Sequence, residues 1–153
     1  MTQLAIRNLS AEAATRALGE RLARVLAPGD VVRLEGPLGA GKSTLARALI
    51  EVFAGVKDAP SPTFTLVETY EGPDCALWHF DLYRLEKPED ARERGLEQAL
   101  DGAVTLVEWP QRAGGLLPAD ALTVRLEIAG TARRAKLEGN EAWRDRLHSA
   151  GIA

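Results

Sequence analysis

Cysteine is almost absent from this chain, since Cys75 is the single one among 153 residues. An intrachain disulfide and a metal site built from several cysteines are therefore excluded, which suits a reducing compartment. Long apolar runs are also missing, because no stretch approaches the roughly 18 residues that a membrane-spanning helix needs. The first seven residues lack the apolar core of a signal peptide. We therefore expect a cytoplasmic protein.

An excess of one sign of charge is missing too. The chain has 19 basic and 22 acidic residues, which gives a formal net charge of −3. A protein that binds nucleic acid on its own usually carries a clear basic excess, so this function class is not expected. The length and the 46% hydrophobic content match one domain of common size. We expect residues 1–153 to form a single domain.

What the sequence does contain is a glycine-rich stretch that ends in a lysine and two hydroxyl residues: Gly36, Pro37, Leu38, Gly39, Ala40, Gly41, Lys42, Ser43 and Thr44. It fits G-x-x-x-x-G-K-[ST], in which backbone N–H groups surround phosphate oxygens, the lysine reaches the β- and γ-phosphates, and the hydroxyl ligates Mg²⁺. The context fits as well, because residues 31–34 indicate a buried strand before the stretch and apolar spacing indicates a helix after it. We call residues 36–44 the phosphate loop and expect them to bind a nucleotide.

The rest of the chain alternates helices and strands. Period-two and helical spacing predict a helix that Ser10 caps, a hairpin of strands at 64–70 and 75–82, charged helical residues at 88–100 broken at Gly95, strands at 104–108, 122–128 and 134–138, and a last helix capped by Asn140. A helical crossover between strands favours parallel pairing. The expected fold is therefore α/β, a three-layer P-loop NTPase-like fold with a mostly parallel central sheet and an antiparallel hairpin.

Two carboxylates each end an apolar strand. Asp81 follows the run 76–80, and Glu108 follows the run 104–107. Mg²⁺ prefers oxygen ligands and is commonly held by a phosphate-loop hydroxyl with one or two carboxylates. Ser43 supplies the hydroxyl, while Asp81 and Glu108 compete for holding the metal and for orienting the attacking water. Spacing alone does not rank them.

Several other side chains carry weaker expectations. Thr63 ends a stiff loop, residues 58–63, that contains two prolines. If this loop moves as a unit, Thr63 could offer its hydroxyl or backbone carbonyl to the γ-phosphate and metal. An ordinary loop threonine fits equally well. His79 is interpreted as structural rather than catalytic. Trp109 either supports Glu108 or forms a contact surface. Arg84 and Arg134 are candidates for neutralising phosphate charge.

Four linked motifs, taken in order and at these intervals, resemble one known family: residues 36–44, 61–67, 79–84 and 107–110. They are similar to the small ATPases of bacterial tRNA threonylcarbamoyladenosine biosynthesis, the TsaE family, and the resemblance covers roughly residues 10–140. Pro37 stands where that family often has an acidic residue, and Ser43 where it often has threonine. Neither change removes a needed group, because serine keeps the hydroxyl.

The resemblance implies a Mg²⁺-dependent ATPase that is slow alone and acts with a threonylcarbamoyl transferase and its non-catalytic paralogue. Together they would place threonylcarbamoyl on adenosine 37 of tRNAs that read codons beginning with A, with the ATPase driving turnover and tRNA contacted through the partners. By this analogy, Ser43 and Glu108 would hold Mg²⁺, Asp81 would support the metal or the water, and Thr63 would lie on a switch-like loop. Lys42 is the lysine that the loop pattern itself directs to the phosphates.

Two other function classes share the phosphate loop. A small-molecule kinase is the main alternative and would use Arg92 and Arg94 as lid arginines, although no segment is long enough for both a lid and an acceptor pocket. A GTPase switch is disfavoured, because no N-K-x-D stretch follows the loop to recognise guanine.

Overall fold

The computed structural model describes residues 2–60, 62 and 65–152. Within these ranges the strands and helices follow one another in this order: β1 (Thr2–Leu9), α1 (Glu12–Ala23), β2 (Val31–Glu35), α2 (Lys42–Ala54), β3 (Val67–Glu71), β4 (Ala76–Asp81), α3 (Pro88–Glu93), α4 (Leu96–Leu100), β5 (Val104–Glu108), a 3₁₀ turn (Pro110–Ala113), β6 (Leu122–Ala129), β7 (Ala132–Gly139) and α5 (Glu141–Ser149).

The strands form one sheet in the order β1-β7-β6-β2-β5-β4-β3. The four central strands β6, β2, β5 and β4 are parallel to one another. The other strands pair antiparallel, β7 with β6 and β1 at one side of the sheet and β3 with β4 at the other. The expected hairpin is β3 with β4. The expected parallel pairing of the two carboxylate-bearing strands is also confirmed, because Asp81 and Glu108 are register partners on β4 and β5.

Helices cover both faces of the sheet, as the three-layer prediction requires. Leu77 and Leu106 belong to one hydrophobic cluster, which includes buried residues of α1, α2 and α5. Phe80 and Val107 belong to a second cluster, which includes buried residues of α3 and α4. Successive strand residues point to opposite faces, so the two clusters lie on opposite sides of β4 and β5. The α/β fold is therefore confirmed.

The N-terminal strand β1 is an element that the sequence patterns do not predict. Only Leu4 and Leu9 are buried in this strand, so it lacks an alternating apolar pattern. Its place at the sheet edge comes instead from backbone pairing with β7. An edge strand of this kind carries little hydrophobic signal, and that is why period-two analysis misses it.

Two predicted helix starts can be compared with the structure. The first helix begins one residue later than expected, with Ala11 rather than Ser10 at the N-cap position and without a side-chain capping bond. The last helix begins as predicted, since the Asn140 side-chain oxygen accepts a hydrogen bond from the Trp143 backbone N–H at 3.2 Å. Capping by asparagine satisfies one N–H that the helix itself cannot.

Candidate nucleotide-binding site

The phosphate loop connects the carboxyl end of β2 to the first turn of α2. Gly36 opens the loop with φ +146°, and a Cβ there would lie 2.5 Å from the Leu126 carbonyl oxygen on β6. Gly41 is the N-cap of α2 and has φ +105°, in the left-handed region that favours glycine. The spacing of the motif is thus explained by backbone geometry, because larger residues would clash or be strained at these two positions.

The N-terminus of α2 is prepared for an anion. No side chain caps it, and its first turn contains no acidic residue. The first backbone N–H groups of a helix have no partner within the helix, and the helix dipole places partial positive charge there. Phosphate oxygens are the natural partners for such groups.

Lys42 begins α2, and its side chain folds back over the loop. The ammonium group donates hydrogen bonds to the carbonyl oxygens of Gly36 and, at 3.1 Å, Pro37. It also lies 4.1 Å from the centroid of the Trp109 ring. Burial lowers the pKa of Lys42, and the nearby charges of Glu108 and Asp81 oppose that shift. The hydrogen-bond partners of the ammonium group are thus neutral carbonyl oxygens, which phosphate oxygens can replace without breaking a hydrogen-bonded ion pair.

The two carboxylates lie together at the carboxyl edge of the sheet but have different partners. Glu108 is 2% exposed and accepts a hydrogen bond at Oε1 from the Ser43 hydroxyl at 3.2 Å. Its other oxygen, Oε2, lies 2.7 Å from Nε2 of His79. Asp81 is 7% exposed, and its Oδ1 accepts a hydrogen bond from the Tyr83 backbone N–H at 3.1 Å. Glu108 is therefore the carboxylate that contacts the phosphate-loop hydroxyl.

A cavity of about 390 Å³ joins these groups. Tyr83, which the sequence patterns did not single out, lines this cavity. The other lining residues were all predicted from the sequence: Leu38, Gly39, Gly41, Lys42, Ser43, Thr44, Asp81, Arg84, Glu108 and Trp109. Gly36, Pro37 and Ala40 complete the loop beside it. Thr63 lies outside the described residues, so its expected contact stays a prediction.

A second cavity of about 260 Å³ lies beside the same loop and shares Gly39, Gly41 and Thr44 with the first. The start of α1 and Arg133 of β7 form part of its wall. Arg133 donates hydrogen bonds to the Gly39 carbonyl oxygen from Nε at 3.3 Å and from Nη2 at 3.1 Å. The sequence instead favoured Arg134, which is exposed and is not among the residues lining either cavity. Only the register of β7 distinguishes these adjacent arginines.

The residues present fit a magnesium ion. Ser43 and Glu108 bring a hydroxyl and a carboxylate oxygen within 3.2 Å of each other, and both are the hard oxygen donors that Mg²⁺ prefers. Within residues 2–60, 62 and 65–152, no group of three or more His, Cys, Asp and Glu side chains is arranged to hold a metal. Mg²⁺ is usually bound by one or two protein groups, substrate phosphates and water.

The fold and the site together define a P-loop NTPase-like protein. The strand, the glycine-rich loop and the helix follow in the expected order, and the carboxylates lie at the ends of the neighbouring parallel strands. This arrangement is the phosphate-binding architecture that the sequence motif predicts.

Comparison with known proteins identifies the family. The family model described as "Threonylcarbamoyl adenosine biosynthesis protein TsaE" matches residues 9–136. A relative from Rickettsia conorii, named tRNA threonylcarbamoyladenosine biosynthesis protein TsaE, is 40% identical over 82% of this chain and 73% of its own length. A relative of the same name from Bacillus subtilis is 36% identical over 88% of this chain and 84% of its own length. The chain belongs to the TsaE family.

A solved structure agrees with this assignment. The crystal structure of YdiB from Bacillus subtilis superposes with a TM-score of 0.80 at 27% sequence identity, covering 98% of this chain and 95% of that one. No helix within the described ranges is long and apolar enough to cross a membrane.

Proposed function

We propose that residues 1–153 form one ATP-binding and ATP-hydrolysing unit that acts in tRNA threonylcarbamoyladenosine biosynthesis. The observation that carries this proposal is the convergence of Lys42, Ser43, Asp81 and Glu108 on one cavity at the uncapped start of α2. Membership of the TsaE family supports the biosynthetic role.

The chemical roles proposed for the described groups rest on their positions at the cavity, and the role proposed for Thr63 rests on the sequence alone. The N–H groups at the start of α2 bind the phosphates, and Lys42 turns toward the β- and γ-phosphates. Ser43 and Glu108 would hold Mg²⁺, which would supply positive charge opposite the charge that develops during phosphoryl transfer. Asp81 supports the metal or orients the attacking water. Thr63 offers its hydroxyl or carbonyl from a switch-like loop.

The second cavity provides room for the nucleoside part of ATP. It continues from the phosphate loop toward the start of α1, so one molecule can place its phosphates on the loop and its base beyond Gly39 and Gly41. Arg133 anchors that side of the loop through the Gly39 carbonyl.

The partners proposed are a threonylcarbamoyl transferase and its non-catalytic paralogue, with the ATPase driving turnover of their complex. The formal net charge of −3 supports an arrangement in which the partners, rather than this chain, make most of the contacts with tRNA. The product would be threonylcarbamoyl on adenosine 37 of tRNAs that read codons beginning with A.

Substitution of Glu108 tests the catalytic assignment. Glu108→Ala should abolish Mg²⁺-dependent ATP hydrolysis in a phosphate-release assay, because it removes the carboxylate that contacts Ser43. Glu93→Ala is the matched control, because Glu93 is an exposed carboxylate on α3. Turnover retained in Glu108→Ala but lost in Asp81→Ala would transfer the metal role to Asp81.

Addition of the partners tests the biological assignment. The isolated protein should hydrolyse ATP slowly, and the rate should rise when the transferase and its paralogue are added. A rate that does not respond, together with phosphate transfer to a small metabolite, would favour the small-molecule kinase instead.

A further inference from the structure

His79 is a fully buried polar side chain on β4. It lies on the face of the strand opposite to Phe80, and its register partner on β5 is Leu106. Within the described ranges its Nδ1 has no hydrogen-bond partner. An aliphatic side chain would fill this position without leaving a buried nitrogen unpaired, so packing alone does not explain a histidine here.

The contact that does explain it is with Glu108. Nε2 of His79 lies 2.7 Å from Oε2 of Glu108, and both side chains are almost fully removed from solvent. The other carboxylate oxygen, Oε1, accepts a hydrogen bond from the Ser43 hydroxyl at 3.2 Å. The two oxygens of Glu108 therefore face different partners, one inside the sheet and one at the phosphate loop.

The direction of the hydrogen bond follows from the chemistry of the pair. A carboxylate that binds a metal is deprotonated and can only accept hydrogen bonds, so in the metal-binding state Nε2 of His79 carries the proton and donates it to Oε2. The other neutral tautomer would place two lone pairs against each other across 2.7 Å. The bond fixes the rotation of the carboxylate about its last side-chain torsion, which is otherwise broad.

We propose that His79 is a positioning residue that binds Oε2 of Glu108 and so presents Oε1 alone, beside the Ser43 hydroxyl, to the metal of a bound metal–nucleotide. This inference rests on the metal role proposed for Ser43 and Glu108. It adds that Glu108 would bind the metal through one carboxylate oxygen rather than two. The hydrogen bond from His79 to Oε2 leaves Oε1 as that oxygen. Metal-binding carboxylates are commonly oriented by hydrogen bonds from residues that do not themselves contact the metal.

Three substitutions separate the hydrogen bond from the shape of the side chain. The amide nitrogen of glutamine reaches about as far from the backbone as Nε2 of histidine, so His79→Gln keeps the donor. His79→Asn keeps an amide but places it nearer the backbone, at the position of Nδ1, and His79→Leu removes the donor. Glutamine and asparagine form a matched pair that differs in reach.

The measurement is ADP affinity by calorimetry, with EDTA and with Mg²⁺, supported by electron paramagnetic resonance of Mn²⁺ bound with ADP. The wild-type protein and His79→Gln should gain the same affinity from the metal and give the same Mn²⁺ spectrum. His79→Asn and His79→Leu should lose about 10-fold or more of that gain while their metal-free affinity stays unchanged. A structural role alone would lower both affinities together.

Failure of this inference is distinguishable from failure of the proposed function. If Glu108→Ala keeps the full affinity gain from Mg²⁺, the proposed metal site is wrong. If Glu108→Ala loses the gain while His79→Leu keeps it, only the positioning role is overturned. If His79→Leu does not fold, equal losses in His79→Gln and His79→Asn would overturn the role, and rescue by glutamine alone would support it.

Discussion

The ammonium nitrogen of Lys42 lies 4.1 Å from the centroid of the Trp109 ring, and the Tyr83 ring lies 4.9 Å from the same indole. Trp109 has a left-handed backbone conformation, φ +57°, directly after the strand that ends at Glu108. A tryptophan is thus held over the lysine that is expected to move when phosphate binds. Cation–π contacts of this kind are worth about 0.5–2 kcal/mol, a modest amount that charge-assisted contacts with phosphate can replace.

Trp109 should therefore report nucleotide binding by its fluorescence. Phosphates draw Lys42 away from the indole, so the emission of Trp109 should change on titration with ADP or ATP. The other two tryptophans contact other elements, since Trp78 stacks on Phe80 and Trp143 donates to the Asp120 carbonyl. The measurement is best made in the background Trp78→Phe/Trp143→Phe. An unchanged spectrum at saturating nucleotide would contradict the expected movement of Lys42.

Neutralising Lys42 should weaken nucleotide binding about 10- to 100-fold, because a charge-assisted hydrogen bond is worth about 1.5–3 kcal/mol. Lys42→Met keeps most of the aliphatic length and removes the charge. Lys57→Ala is the control, since Lys57 is exposed and is not among the residues lining either cavity of the site. Calorimetry with ATP checks the change, and equal affinity of Lys42→Met and the wild-type protein would remove Lys42 from the site.

Much of the site was predictable because its geometry follows from local rules. Parallel strands end at one edge of a sheet, so a carboxylate after each of two apolar runs predicts that Asp81 and Glu108 lie together, and their register confirms it. The glycines of the phosphate loop were likewise predictable, because the backbone conformation at Gly36 and Gly41 favours a residue without a Cβ. These features depend on residues that are close in sequence, or on strands whose carboxyl ends meet at the same edge of the sheet because they are parallel.

The contacts that sequence reasoning missed depend on which strands are neighbours. Period-two alternation places His79 opposite Phe80, but only the pairing of β4 with β5 brings it to Glu108. In the same way, the choice between Arg133 and Arg134 requires the register of β7 on β1 and β6. Such long-range register is set by the whole sheet and is not encoded in a short window.

The close approach of α1 and α2 gives a stability prediction. A Cβ on Gly19 would overlap the Leu45 carbonyl oxygen and lie 3.2 Å from the Leu49 backbone nitrogen. Gly19→Ala should therefore lower the free energy of unfolding by about 1–3 kcal/mol, the usual cost of overpacking, despite the better helix propensity of alanine. Urea unfolding measures the change.

The matched control for this substitution is Gly115→Ala. A Cβ on Gly115 meets no described atom within 4 Å, and its φ lies outside the left-handed region. This variant should be neutral or stabilised by up to about 1 kcal/mol, because alanine restricts the unfolded chain. If Gly19→Ala is as stable as Gly115→Ala, the helices separate without cost and the tight packing of α1 on α2 is not required.

Arg133 gives a prediction for the side of the phosphate loop away from the carboxylates. It donates two hydrogen bonds to the Gly39 carbonyl oxygen and so links β7 to the loop. The guanidinium is partly exposed and both bonds share one carbonyl oxygen, so the contact as a whole is worth about 0.5–1.5 kcal/mol, and Arg133→Ala should weaken ATP binding about 2- to 10-fold.

Arg134→Ala is the control for Arg133, because it removes the same charge from the adjacent, exposed position. Arg133→Lys should recover only part of the affinity, since lysine keeps the charge but cannot reproduce the two-nitrogen contact with one carbonyl oxygen. If Arg134→Ala weakens binding as much as Arg133→Ala, general positive charge rather than the Gly39 contact supports the nucleotide. A loss confined to Arg133, with partial recovery by lysine, would show that β7 holds the loop in its phosphate-binding conformation.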